Sequence, residues 1–136
     1  MFEKVVVYGA GTMGKGIAQW FAQQLIKVQL VDANKSQSQI AIEQIHNSWD
    51  KLQIKGKFKP QEVEKFKKHI QACYAEQSDT GASLVIEAIF EDLGAKKQLL
   101  NKIDEYYLPN TIIASNTSSF PIKELGFALN PERKKQ

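Results

Sequence analysis

Residues 5–18 read VVVYGAGTMGKGIA, and the fold turns on how this stretch is read. Lys4–Tyr8 is short, β-branched and apolar, as a buried strand is. The run stops at Gly9, and further glycines stand at 11 and 14. From Thr12 onward Met13, Ile17, Phe21 and Leu25 recur at helical spacing, with Trp20 beside them. A strand, a G-x-G-x-x-G turn and a helix make a unit that can cradle phosphates. Gly9 permits a tight turn, Gly11 lets the backbone approach a pyrophosphate, and Gly14 lets helix and strand pack closely. The helix N-terminus then aims amide hydrogens at the anion. Short glycine patterns are common, so an ordinary strand–turn–helix with incidental glycines is the competing account.

The next apolar run strengthens the first account. KVQLVD (27–32) reads as a second strand and ends in Asp32, eighteen residues after Gly14. An acid at that place binds the adenine ribose hydroxyls of a dinucleotide and repels a 2′-phosphate. Lys35 lies near it but no arginine follows, so NAD is favoured over NADP. A turn or helix-capping acid is the alternative for Asp32.

Further along, Ser36 can cap a helix in which Ile42, Ile45, Trp49 and Leu52 form a narrow seam for one partner. KGKFKP (55–60) is a turn, and Val63, Phe66 and Ile70 mark a shorter amphipathic helix. Residues 36–70 thus read as a helical hairpin inserted after the second strand. IQACYA (70–75), ASLVIEAIF (82–90) and TIIASN (111–116) read as strands. Leu99, Leu100, Ile103, Tyr106 and Tyr107 mark a helix that ends at Pro109-Asn110. Pro121 suits the start of a last short helix ending near Leu129. Alternation of this kind predicts an α/β fold: a Rossmann-type, doubly wound parallel sheet with helices on both faces. Residues 1–129 form one domain, and 130–136 a polar, basic tail.

Composition narrows the function classes. The 136 residues are 43% hydrophobic and 24% charged, as in an ordinary globular domain. A net charge of +3 without a block of like charges gives no nucleic-acid footprint. No apolar run is long enough for a membrane span, and no signal peptide is apparent. One cysteine, Cys73, suits a reducing compartment, so a cytoplasmic location is expected. No metal site is indicated.

Ligands of doubly wound sheets bind beyond the carboxyl ends of the strands. Glu91 and Lys96 lie in that region, as does ASNTSS (114–119). Taken alone, these stretches read equally as helix-capping acids and a serine-rich capping loop. Glu87 is an acid within an apolar strand. In the hairpin, residues 35–68 hold eight lysines against four acids, net +4. Ser48, Lys51 and Lys55 share one helix face, which reads as a solvated lysine face or else one that suits several phosphates.

Four blocks in this order and spacing, GAGTMGKGIA, VQLVD, LVIEAIFED with Lys96 and Lys97, and IIASNTSS, resemble one family. It is the N-terminal NAD-binding domain of the L-3-hydroxyacyl-CoA dehydrogenases, which include 3-hydroxybutyryl-CoA dehydrogenases. The resemblance implies oxidation of the 3-hydroxyl of an acyl-CoA with reduction of NAD. It implies that Gly9, Ala10, Gly11, Thr12, Met13 and Gly14 hold the pyrophosphate and that Asp32 holds the adenosine ribose. Glu91 and Lys96 then lie along the nicotinamide half, Asn116 is near the cofactor, and Ser118 contacts both substrate oxygen and cofactor. Ser48 and Lys55 match positions that contact coenzyme A. Tyr8 and Phe120 depart from the family's aliphatic residues, and Gly94 weakens the start of a helix.

A hydroxyl-to-ketone oxidation needs a base, usually histidine. His46 and His69 both fall in the hairpin, away from the strand ends. The family's catalytic histidine follows an NPER-like stretch, and a helical domain completes the cleft. The expectation is therefore a truncated, inactive cofactor half. Strand 111–116 would become an exposed edge and invite self-association. The alternatives are a non-catalytic NAD or acyl-CoA binding module and another NAD-dependent hydroxyacid dehydrogenase.

Overall fold

The computed structural model describes residues 2–116. Five strands form one parallel sheet: β1 (Lys4–Tyr8), β2 (Lys27–Val31), β3 (Ile70–Cys73), β4 (Leu84–Glu87) and β5 (Ile112–Ser115). Their order is β3-β2-β1-β4-β5, so the chain reverses direction across the sheet between β1 and β4. The helices are α1 (Thr12–Gln23), α2 (Lys35–Ile54), α3 (Pro60–Lys68) and α4 (Leu93–Tyr106), with a 3-10 turn at Ala75–Gln77.

Strand alternation sorts the core into two layers. Val5, Val7, Val28, Leu30, Leu84 and Ile86 face α1, α2 and α3 through Ala18, Phe21, Ile45, Trp49, Val63 and Phe66. Val6, Tyr8, Val31 and Val85 face α4 through Ile103 and Tyr107. The doubly wound sheet and the hairpin after β2 are as the sequence predicts. The strands are shorter than read: 82–90 narrows to Leu84–Glu87, 70–75 to Ile70–Cys73 and 27–32 to Lys27–Val31. The last helix near Pro121, Phe120 and the 130–136 tail lie outside the described residues.

The buried face of α1 differs from the expected stripe. Gly14, Ala18, Phe21 and Ala22 are buried, whereas Met13, Trp20 and Leu25 are about half exposed. Small residues win because α1 lies close against β1. A Cβ on Gly14 would sit 1.7 Å from the Gly9 carbonyl oxygen. The helix also stops at Gln23, before Leu25. Leu25 takes φ of 61°, with Leu25 N–H donating to Ala22 O at 3.0 Å and Ile26 N–H to Phe21 O at 3.1 Å. This is a Schellman ending with leucine where glycine is usual. Gly56 makes the equivalent ending of α2 with φ of 77°.

The cap of α2 is Asn34, whose side chain accepts from Ser36 N–H at 3.0 Å, so Ser36 receives the cap and does not supply it. Of the expected seam, Ile45 and Trp49 are fully buried, with Ser38 and Ala41 in the same stripe. Trp49 is 0% exposed and donates through Nε1 to Gln23 at 3.0 Å, tying the hairpin to α1.

Candidate functional site

A cavity of about 730 Å³ opens at the carboxyl ends of the strands. It runs from Asp32 and Ala75, across the turn Gly9–Met13, to Glu91 and Asn116. That places it over the β1/β4 reversal, where ligands of such sheets bind.

The turn is shaped by backbone contacts. Gly9 has φ of 110°, and a Cβ there would lie 2.4 Å from Ala88 O. Gly9 N–H donates to Val31 O at 2.7 Å, which pins the turn to β2. Gly11 is the N-cap of α1 and has no side-chain cap. A Cβ on Gly11 would meet nothing within 4 Å, so its open side faces the cavity. The first amides of α1 therefore point at space that an anion fills. A pyrophosphate fits this cradle, and the fit rests on the backbone alone. Gly14 is buried beneath the turn and supports it without lining the cavity.

Asp32 follows β2 at the cavity wall. Its Oδ2 accepts from Ala10 N–H at 2.9 Å and its Oδ1 from Asn34 N–H at 3.1 Å. The carboxylate thus braces the glycine turn, and each oxygen retains acceptor capacity for a ribose hydroxyl. The cap of α2 belongs to Asn34, so Asp32 is not a helix-capping acid.

On the far side, α4 is capped by Asp92, whose side chain accepts from Ala95 N–H at 3.0 Å. Glu91 does not serve as the cap; its Oε1 lies 3.1 Å from Lys96 Nζ. Lys96 was expected along the cofactor cleft, and the structure buries it. Its side chain is 0% exposed and its Nζ sits 2.7 Å from Glu87 Oε2, so it stands behind Glu91 and not on the cavity wall. The reason is electrostatic: Glu87, also 0% exposed inside β4, needs a counter-charge within reach. Glu87 further accepts from Ile89 N–H at 2.9 Å and from the Ser115 hydroxyl. Its backbone carbonyl accepts from Asn116 N–H at 2.8 Å. A buried acid in an apolar strand demands such partners, and that demand is the signal in the sequence for Glu87.

Tyr8 brings a polar group under the cavity floor. Its hydroxyl lies 3.0 Å from that of Tyr107, which lies 2.6 Å from Ser78 Oγ. Burial pushes both phenols above the ordinary value of 10.0. The departure from an aliphatic residue is thus absorbed by a hydrogen-bonded chain of hydroxyls.

Neither histidine lines the cavity. His46 stacks on Trp49, and burial, with help from Lys67, holds its pKa below 6.5. His69 Nδ1 is 2.7 Å from Lys65 O at the end of α3. Ser48 lies on α2 and Lys55 caps its C-terminus; neither borders the cavity. Ser118 lies outside the described residues. Among the described residues no cluster of ligands suits a metal, and no helix is long and apolar enough to cross a membrane.

The family model for "3-hydroxyacyl-CoA dehydrogenase, NAD binding domain" matches residues 4–135. The chain belongs to that family of oxidoreductases, and its cofactor is NAD. A probable 3-hydroxybutyryl-CoA dehydrogenase of Bacillus subtilis (strain 168) is 34% identical over 132 residues, 96% of this chain and 46% of that protein. A 3-hydroxyadipyl-CoA dehydrogenase of Escherichia coli (strain K12) is 34% identical over 132 residues, 96% of this chain and 28% of that one. The crystal structure of (S)-3-hydroxybutyryl-CoA dehydrogenase from Ralstonia eutropha superposes with a TM-score of 0.92 at 31% identity, covering 98% of this chain and 47% of that chain. The chain spans less than half the length of each of these relatives.

Proposed function

We propose that the chain is the cofactor-holding half of an NAD-dependent 3-hydroxyacyl-CoA dehydrogenase, with residues 1–129 as its NAD-binding domain and 130–136 as a tail. The observation that carries this reading is the cradle at Gly9–Gly14, open at Gly11 and walled by Asp32 on one side and Glu91 and Asn116 on the other. NAD, when bound, supplies the hydride acceptor for oxidation of the substrate's 3-hydroxyl. The chain's own residues bind and orient it. The amides after Gly11 hold the pyrophosphate, and Asp32 accepts from the adenosine ribose and repels a 2′-phosphate. Glu91, backed by Lys96, and Asn116 face the nicotinamide half. Ser118 orients the substrate oxygen. Ser48 and Lys55 contact coenzyme A on the hairpin's basic face.

Neither histidine borders the cavity to take the hydroxyl proton. The chain alone is therefore expected to bind cofactor without turnover. The unpaired Cys73 supports a cytoplasmic location, and the 3-hydroxybutyryl-CoA dehydrogenase relative supports a role in fatty-acid metabolism. A fluorescence titration with NADH beside NADPH tests the reading. Saturable NADH binding with much weaker NADPH binding is expected; absence of binding to either overturns it.

A further inference from the structure

We propose that Glu87 is a positioning residue for the nicotinamide half of the site, a proposal that rests on the NAD-binding reading above. Glu87 does not itself line the cavity and is 0% exposed. Yet it is bonded to each chain segment that forms the far side of that wall. Through Oε2 it accepts from Ile89 N–H at 2.9 Å, in the loop after β4, and from Lys96 Nζ at 2.7 Å, on α4. Through Oε1 it accepts from the Ser115 hydroxyl at the end of β5. Its carbonyl holds Asn116 N–H at 2.8 Å. Lys96 in turn reaches Glu91 Oε1 at 3.1 Å. The Glu87 carboxylate therefore ties Ile89 and, through Lys96, Glu91 to Ser115, whose neighbour Asn116 is held by the Glu87 carbonyl.

The reason for a charged hub here is geometric. The loop after β4 and the end of β5 are successive crossings of the sheet, joined in the chain only through α4. Backbone pairing ends at Glu87 and Ser115, where the two strands stop. Past that point the main chain still gives Asn116 its bond to Glu87 O, and the loop that carries Glu91 is joined to the hub through the Glu87 and Lys96 side chains. The Glu87 side chain extends the join past the end of the ladder. It accepts hydrogen bonds from three elements at once, and a buried network of this kind fixes geometry only when every member is satisfied. The opposite half of the cavity has no such dependence. Asp32, Ala10 and Gly9 are tied to each other and to β2 directly.

This division yields a test. ADP-ribose carries the adenosine, the pyrophosphate and the second ribose but lacks the nicotinamide ring, which NADH adds. Glu87→Gln keeps the shape and removes the charge that holds Lys96. The dissociation constant for NADH is expected to rise about tenfold, within the roughly twofold to thirtyfold range of such couplings, with that for ADP-ribose unchanged. Equal weakening of both ligands would mean a structural role only and would overturn the proposal, as would no change in either. Ser115→Ala removes one bond to Glu87 from an edge strand and gives the same selective loss at smaller size. It carries the test if Glu87→Gln does not fold. Wild-type chain that binds ADP-ribose but not NADH refutes the proposal while leaving the glycine cradle standing. Wild-type chain that binds neither refutes the parent reading.

Discussion

Gly11 and Gly14 stand three residues apart, and substituting alanine at each should separate binding from folding. At Gly14 the added Cβ would lie 1.7 Å from Gly9 O and 2.8 Å from Gly9 C. Both are backbone atoms of the turn, so no side chain can swing away. Either α1 retreats from β1 by more than an ångström or the turn deforms. Overpacking costs about 1–3 kcal/mol where side chains can adjust, so about 3 kcal/mol or more is expected here. For a domain of 136 residues that lowers the melting temperature by about 10–15 °C. At Gly11 the Cβ meets nothing within 4 Å, and stability should change by no more than about 0.5 kcal/mol. The same Cβ projects into the pyrophosphate space, so NADH affinity should fall by at least about tenfold, the equivalent of about 1.4 kcal/mol. Thermal unfolding by circular dichroism and NADH titration of both variants decide the matter. A Gly14→Ala chain that melts like the parent refutes the close approach of α1 and β1. A Gly11→Ala chain that binds NADH normally refutes the cradle.

Other expectations follow from named contacts. Asp32→Asn should weaken NADH by about tenfold and narrow the gap to NADPH, read by parallel titrations, because a charged acceptor and a repulsive charge are lost together. Leu25→Gly should raise stability by about 0.5–1 kcal/mol in urea unfolding, since leucine pays for its φ of 61° and glycine does not. The His46 imidazole is held below 6.5 chiefly by burial, so the fold favours its neutral form. Stability from that preference is present above pH 6.5 and lost as pH falls through the lower folded value. His46→Phe keeps the ring against Trp49, and its melting temperature should fall less than the parent's between about pH 7 and 5. Ile112 is 37% exposed on β5, one of the two edge strands among the described residues. Light scattering should show a mass that grows with concentration, and Ile112→Lys should suppress it.

The sheet and the cavity floor were legible because each rests on local sequence. Val5–Tyr8 alternates into two cores, and Gly9-x-Gly11-x-x-Gly14 with Asp32 needs no distant partner to be recognised. What was not legible depended on distance. The small stripe Gly14, Ala18 and Ala22 outranks Met13 and Trp20 only because a strand lies close beneath it. The stop before Leu25 carries no glycine, whereas the stop at Gly56 announces itself. Lys96 reads as a ligand-facing base until Glu87, nine residues earlier, is known to be buried beside it. The hydroxyl of Tyr8 finds its partner in Tyr107, ninety-nine residues on, which no local pattern foretells.

The central strand has a consequence for the order in which the chain can be finished. β1 is made first, and one of its edges is satisfied early by β2, with Val5 beside Val28. Its other edge waits for Leu84–Glu87, with Val5 beside Leu84, after the whole hairpin and β3 have emerged. Until then the growing chain presents Val5, Val6 and Val7 as an apolar, unpaired border at its centre, the kind of surface chaperones exist to cover. Parallel pairing over such a separation is slow because loop closure precedes any reward. A chain released between residues 74 and 83 would therefore be a sticky intermediate, whereas one released after β4 can seal that border.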